Sequence, residues 1–208
     1  METLIAQWLK ELGLISSFTL ESLDDRETLY RVKVSRTPSS PPVLITDVGF
    51  GVSQVLPVLV LLAYSSSGDT VLLEQPEIHL HPAVQSKLAD LVIETALARG
   101  VQVIVETHSE HFLTRLQRRI AERDFGNGIE LETDDVALYF CEFVRNSSEI
   151  RELELDLFGN ILNWPAGFFG DLTQESLAMM EAIERRETWT DRSAKTWKVG
   201  SFVNGRGM

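Results

Sequence analysis

Two apolar runs, residues 71–73 and 101–105, constrain this chain more than any other feature. Neither shows the regular polar alternation of a half-exposed strand, which predicts parallel strands covered on both faces. Between them, Pro82 opens a segment with Val84, Leu88, Leu91, Val92 and Thr95 on one helical face, and Gly100 stops it. Strand, helix, strand in that order is a parallel crossover, so the centre of the fold is α/β.

The flanking segments add to this unit. Leu4, Ile5, Trp8, Leu9 and Leu12 recur at helical spacing before Gly13. Strand-like stretches at 18–23 and 29–34 surround Asp24 and Asp25 as in a hairpin, and 38–42 is a proline-bounded connector. A helix is predicted after Ser109, with Phe112, Leu113, Leu116 and Ile120 inward and Arg115, Arg118, Arg119 and Arg123 on a solvated outer face. Residues 136–143 and 150–155 predict further strands, and a last helix is expected over about 174–187, after an aromatic turn at 164–169.

Composition limits the partners. With 208 residues, 44% of them hydrophobic, the chain can bury a real core. Its 19 basic against 31 acidic residues give a net charge of -12, and 130–156 holds nine acidic residues beside only Arg145 and Arg151, so direct nucleic-acid binding is not expected. The single cysteine, Cys141, excludes an internal disulfide; its apolar neighbours predict a buried thiol in a reducing compartment, and the cytoplasm is the expected location. No apolar run is long enough for a membrane span, and acidic Glu2 follows Met1 with no basic leader.

Three segments carry chemistry. In 72–82, Leu-Leu-Glu-Gln-Pro-Glu-Ile-His-Leu-His-Pro, an apolar strand ends in carboxylates at the sheet edge where parallel folds bind ligands. Glu74 is there the candidate to hold Mg²⁺, a hard cation that prefers oxygen ligands. In 105–111 the next strand ends in Val-Glu-Thr-His-Ser-Glu-His, and His108 can donate a hydrogen bond to a phosphate or steady an attacking water. Upstream, Asp47-Val48-Gly49-Phe50-Gly51-Val52-Ser53-Gln54 leads into an apolar helix from about residue 55 to 64; the glycines allow close backbone approach, Ser53 is a candidate cap, and the helix start offers N–H groups to an anion.

In this order and spacing the three segments resemble the signature loop, Walker B strand and switch histidine of ABC-type ATPases, in the AAA-like branch near the overcoming-lysogenization-defect and SMC/Rad50 proteins. The tail, Phe158-Gly159-Asn160-Ile161-Leu162-Asn163-Trp164-Pro165 with Gly167-Phe168-Phe169, is similar to the small C-terminal DUF3696-type domain that follows many of them. The resemblance implies a P-loop NTPase-type α/β sheet over residues 1–155, with flanking helices and a small appended domain over 156–208. It also implies ATP and Mg²⁺ as cofactors in a head-to-head dimer. Gly49, Gly51, Ser53 and Gln54 would reach ATP held by a second protomer, Glu74 would serve Mg²⁺ and His108 would sense the γ-phosphate. His81 stands where many ABC proteins carry the aspartate of the loop facing the partner.

Two departures stand out. No Gly-x-x-x-x-Gly-Lys-[Ser/Thr] occurs, so the nest that cradles the β- and γ-phosphates, and with it the N-terminal half of such a domain, must come from another segment or subunit. Gln75 occupies the usual place of the catalytic glutamate; an amide can orient water but cannot take its proton. The expected partner is therefore a Walker A-bearing half or second protomer, and the resemblance adds a nuclease or other DNA-acting effector in repair or phage defence. Two rival readings are a scaffold module descended from a split ATPase and a transition-metal site. The latter would use His79, His81, His108 and His111 with Glu74 or Glu77, since a His-x-His pair on an extended segment points both rings one way.

Overall fold

The computed structural model describes residues 2–26, 28–124, 128–165, 168 and 179–180. The chain divides into two compact units, Met1–Trp164 and Pro165–Met208, and the elements named below all belong to the first. Of the helix expected over 174–187 only Met179 and Met180 are described, and Gly167 and Phe169 of the aromatic turn lie outside the described residues. In chain order the elements are α1 (Glu2–Glu11), β1 (Ser17–Ser22), β2 (Tyr30–Ser35), β3 (Val43–Leu44), α2 (Phe50–Tyr64), β4 (Thr70–Glu74), α3 (Pro82–Arg99), β5 (Gln102–Glu106), α4 (Glu110–Glu122), β6 (Leu138–Val144) and β7 (Ser147–Leu153).

The central crossover forms as the apolar pattern predicts. β4 and β5 pair in parallel from Thr70↔Gln102 to Glu74↔Glu106. Pro82 fits the first position of α3, where a missing N–H costs nothing, and Gly100 ends the helix at a φ of 65°, a left-handed value that suits glycine. Val84, Leu88, Leu91, Val92 and Thr95 are buried along α3, and the Thr95 hydroxyl satisfies itself on the Leu91 carbonyl at 2.8 Å. Val84, Leu88, Leu91 and Val92 join Trp8 and Leu9 of α1, Val55, Leu59 and Leu62 of α2, and Val71 and Leu73 of β4 in one core. Arg99 fastens the end of α2 by donating to the carbonyls of Leu62 (2.6 Å), Ala63 (3.0 Å) and Ser65 (2.6 Å), groups that a helix C-terminus leaves without internal donors.

The parallel pair is covered on one face only, against expectation. Val71 and Leu73 point into the core, whereas Leu72 and Ile104, register partners on the other face, are 68% and 51% exposed. Thr70, Glu74, Gln102 and Glu106 share that open face, so polar residues do alternate with apolar ones at its two ends. No described element pairs with the outer edge of either strand.

The helix after Ser109 forms with its predicted inward residues, and Ser109 Oγ caps it by accepting from the Phe112 N–H at 3.0 Å. Its arginines are not a uniformly solvated face. Arg119 grips Asp90 of α3 with two nitrogens, at 2.7 and 3.0 Å, and Arg115 reaches the same carboxylate at 3.5 Å. Arg115 and Arg119 are only 19% and 21% exposed. They lie in the crossing of α3 and α4, and Asp90 and Glu122 raise the Arg119 guanidinium pKa further above its ordinary value, with side-chain hydrogen bonding to Asp90 the largest cause. Arg118 and Arg123 do lie outward, beside Glu122 and beside Glu130 and Glu132.

Two antiparallel hairpins flank this centre. β1 and β2 pair around the Asp24 turn, whose carboxylate accepts from the N–H groups of Thr28 (2.8 Å) and Leu29 (3.0 Å). The proline-bounded connector delivers the short β3, which pairs with β2. β6 and β7 join through Arg145 and Asn146, both at positive φ (47° and 74°), as a two-residue hairpin turn of the primed kind demands. The apolar run in β6 alternates between faces once paired. Cys141 is therefore exposed rather than buried, opposite Ile150 on a face that also carries Tyr139 and Phe143. Among the described residues no helix is long and apolar enough to cross a membrane.

Candidate functional site

Parallel pairing brings the two acidic strand ends together. Glu74 and Glu106 are register partners at the same edge, and the Gln75 N–H extends the ladder by donating to the Glu106 carbonyl at 2.8 Å. The chain then turns sharply: Gln75 has a φ of 43° and His79 a φ of 63°, two residues other than glycine in the left-handed region within one loop. Such conformations cost about 1–3 kcal/mol each and persist where the surroundings impose them.

His108 follows β5 by two residues, on the same edge as Glu74. Its ring is 78% exposed, with Nε2 3.4 Å from Glu106 Oε1. Beneath it lies Glu77, 6% exposed, whose Oε1 accepts from the Thr107 hydroxyl at 2.7 Å and from the His108 backbone N–H at 3.0 Å. The other oxygen of Glu77 is buried and has no hydrogen-bond partner. Thr107 Oγ1 in turn accepts from the Ser109 N–H at 3.0 Å, and the Ser109 hydroxyl donates to Gln85 Oε1 at 2.6 Å. Gln85 closes the circuit by donating from Nε2 to the Leu80 carbonyl at 2.9 Å, so residues 77–80 are tied at both ends to the start of α4.

His81 precedes α3 and caps it, with Nδ1 accepting from the Ala83 N–H at 3.2 Å. The premise of a transition-metal site fails here, because 75–80 is a turn rather than an extended segment and His79 is left-handed. Among the described residues no group of three or more His, Cys, Asp or Glu is arranged to hold a metal ion.

The glycine-bearing turn sits beside the same loop. A Cβ placed on Gly51 would lie 3.5 Å from Leu80 Cδ2 and 3.7 Å from the His79 carbonyl, so the first turn of α2 packs on 79–80. The cap of α2 is Gly49, not Ser53. Five residues earlier than expected, the helix begins at Phe50, which puts Ser53 and Gln54 on its exposed first turns. Helical glycine is intrinsically unfavourable, and packing against Leu80 outweighs that preference at Gly51. The start of this 15-residue helix leaves N–H groups without helical acceptors beside the loop.

Glu74, Gln75, His81, His108 and the Gly49–Gly51 turn thus surround one loop. Sequence reasoning did not single out Glu106, Thr107 or Gln85, and it gave Glu77 no part beyond the metal alternative. Glu106 was detectable from its place opposite Glu74 in a parallel register, but nothing in the sequence signalled the burial of Glu77. Two like charges facing each other across a sheet are unfavourable, and a divalent cation between or beside them relieves the repulsion. The paired carboxylates of Glu74 and Glu106 thus concentrate negative charge at this edge.

Comparison with known proteins bears on this arrangement. Residues 24–114 match the family described as "AAA domain, putative AbiEii toxin, Type IV TA system", and residues 131–178 match a "Protein of unknown function (DUF3696)", which takes in the β6–β7 hairpin. Among curated proteins no match is found. A solved structure from work on ATP-driven dimerization and DNA-stimulated activation of SMC ATPases aligns with a TM-score of 0.55 at 13% identity, over 74% of this chain and 83% of that one. An SmcHead bound to the C-winged helix domain of ScpA gives 0.56 at 13% identity, over 74% of this chain and 42% of that one. The Smc head domain of Pyrococcus furiosus, with an extended coiled coil and bound to the C-terminal domain of ScpA, gives 0.52 at 10%, over 88% and 37%. The chain thus spans less than half the length of the latter two, and at these identities the likeness is one of fold. In succession along the chain, then, lie a match to an AAA-domain family and a match to DUF3696, on a fold like that of SMC ATPase heads.

Proposed function

We propose that this chain supplies the signature loop, Walker B strand and switch histidine of a composite head-to-head ATP site, whose phosphate-binding loop comes from another segment or subunit. The observation that supports this most is the shared edge of β4 and β5, with Glu74 and the His108 strand end in adjacent register and the Gly51 turn packed on the connecting loop. MgATP, when bound, supplies the transferable γ-phosphoryl group and a cation that neutralises its charge. Glu74 is the residue that would hold Mg²⁺, through water. Gln75 orients the attacking water by accepting and donating hydrogen bonds, and it takes no proton from it. His108 donates to the terminal phosphate. Gly49, Gly51, Ser53 and Gln54, with the start of α2, present N–H and polar groups to the triphosphate of the opposite protomer. His81, which caps α3, stands on the partner-facing side.

On this reading the ATPase part is followed by the appended domain, and ATP closes the dimer to drive a conformational switch. A DNA-acting effector in repair or phage defence is the setting the resemblance suggests, and the cytoplasm is the compartment. Gln75 favours a second reading, in which ATP is only a clamp or the chain only a scaffold. Both are tested by mixing the full chain with a Walker A-bearing partner, then following association by light scattering and phosphate release with MgATP. ATP-dependent association with turnover that Glu74→Ala abolishes is the expected result. Association without turnover favours the clamp, association that ignores ATP favours the scaffold, and turnover unchanged by Glu74→Ala removes Glu74 from the site.

A further inference from the structure

A carboxylate that is almost wholly buried, with one oxygen left without a partner, is costly, and such a group persists where the interactions of its other oxygen matter. Glu77 is this case: Oε2 has no partner, and both acceptor contacts of Oε1 go to the segment that carries His108. We propose that Glu77 is a positioning residue for His108, holding the backbone of the strand end so that an otherwise exposed ring keeps one place beside Glu106. The claim that this placement serves phosphate sensing rests on the ATPase reading above; the placement itself does not.

Three observations carry it. The His108 ring is 78% exposed and its contact with Glu106 is a loose 3.4 Å, so the ring receives little restraint from its own surroundings. The restraint comes through the backbone, at the His108 N–H and through Thr107, whose hydroxyl bridges Glu77 to the Ser109 N–H. Glu77 also sits in the loop against which Gly51 packs, and Gln85 ties the far end of that loop to Ser109. The sensor and the partner-facing turn therefore share one support.

The test is amide hydrogen exchange and backbone order parameters on the full chain, without nucleotide, for the wild type, Glu77→Ala, Glu77→Gln and Thr107→Val. Glu77→Ala removes the acceptor of the His108 N–H, so exchange at His108 should speed up about tenfold or more and its order parameter should fall, while the α3 amides near Leu88 keep their protection. Glu77→Gln, whose amide oxygen can still accept, should restore most of the protection. Thr107→Val should speed exchange chiefly at Ser109, and it serves as the second probe if Glu77→Ala proves globally unfolded. Unchanged exchange at His108 in Glu77→Ala, or equal loosening in Glu77→Gln, overturns the proposal. In the completed assembly Glu77→Ala should lower kcat about tenfold with KM within about twofold, and Glu77→Gln should recover most of the loss; normal kcat with a loosened His108 overturns the positioning role. A wild-type assembly that never turns over MgATP refutes the ATPase reading, and the exchange data still decide the role of Glu77.

Discussion

The facing carboxylates at the strand ends make a stability prediction that needs no nucleotide. Glu74→Gln removes one of two like charges in direct register on the open face of the parallel pair. Adjacent strands lie about 4.8 Å apart, which puts two carboxylates on one face at roughly 6 Å. Coulomb repulsion at that distance is about 0.7 kcal/mol in water, and screening at about 0.15 M salt reduces it to roughly 0.3 kcal/mol. Opposed like charges on sheets destabilise by a similar amount, about 0.2–1 kcal/mol. Without divalent metal, Glu74→Gln should therefore stabilise the protein by about 0.3–0.7 kcal/mol. With a urea slope of about 2 kcal/mol/M this moves the midpoint up by roughly 0.15–0.35 M. The gain should be largest near 10 mM salt and fade by 1 M. A lower midpoint, or a gain that ignores salt, would show that the two carboxylates do not repel as their register implies, and the argument for a cation-ready edge would fail with it.

Three further outcomes are expected. Arg119→Ala breaks a two-point contact with Asp90 at the α3–α4 crossing and should cost about 2 kcal/mol in urea unfolding, with Asp90→Ala in the same chain adding less than its separate effect. The Glu94 carboxyl is pushed above its ordinary range, first by burial and then by Glu11 and Asp90. A raised carboxyl pKa means the folded state holds its proton more tightly than the unfolded state, so this group's contribution is most favourable below the unfolded value and declines as pH rises through the folded one. Glu94→Gln should thus stabilise at pH 7, and the advantage should vanish below the ordinary carboxyl range; an advantage that persists there contradicts the linkage. At Gly159, φ is 75° and an added Cβ would lie 2.8 Å from the Gln117 carbonyl, a backbone atom that cannot swing away. Gly159→Ala should cost about 2 kcal/mol or more, seen as a drop in Tm of roughly 4–8 °C.

The crossover and the motif edge were legible in the sequence because they rest on local rules. Pro82 and Gly100 bound α3, apolar runs mark β4 and β5, and a parallel register then forces Glu74 beside Glu106. What escaped depends on tertiary partners. Arg119 has the spacing of a solvated residue, and only the arrival of Asp90 from α3 makes it an interhelical pin. Cys141 sits in a run that looks buried, but pairing to β7 sends alternate residues to opposite faces and leaves the thiol outside. Ser53 is a good cap by residue type, yet Gly49 already has the extended backbone that the cap requires, so the helix starts sooner. The polar circuit through Glu77, Thr107, Ser109 and Gln85 joins residues up to 31 positions apart, a spacing no local signal encodes.

The parallel pairing of β4 with β5 also fixes when the edge can exist during folding. Parallel neighbours cannot zip from a tight turn; the 27 residues between Glu74 and Gln102, α3 among them, must first gather into place. Hairpins β1–β2 and β6–β7 close through short connections and can form early, whereas the strand ends that gather Glu74, Glu106 and His108 belong to the pairing of highest sequence separation among the named strands. The corner that holds Glu74, Glu106 and His108 is therefore expected to gain hydrogen-exchange protection after the two hairpins during refolding, and simultaneous protection would contradict this order.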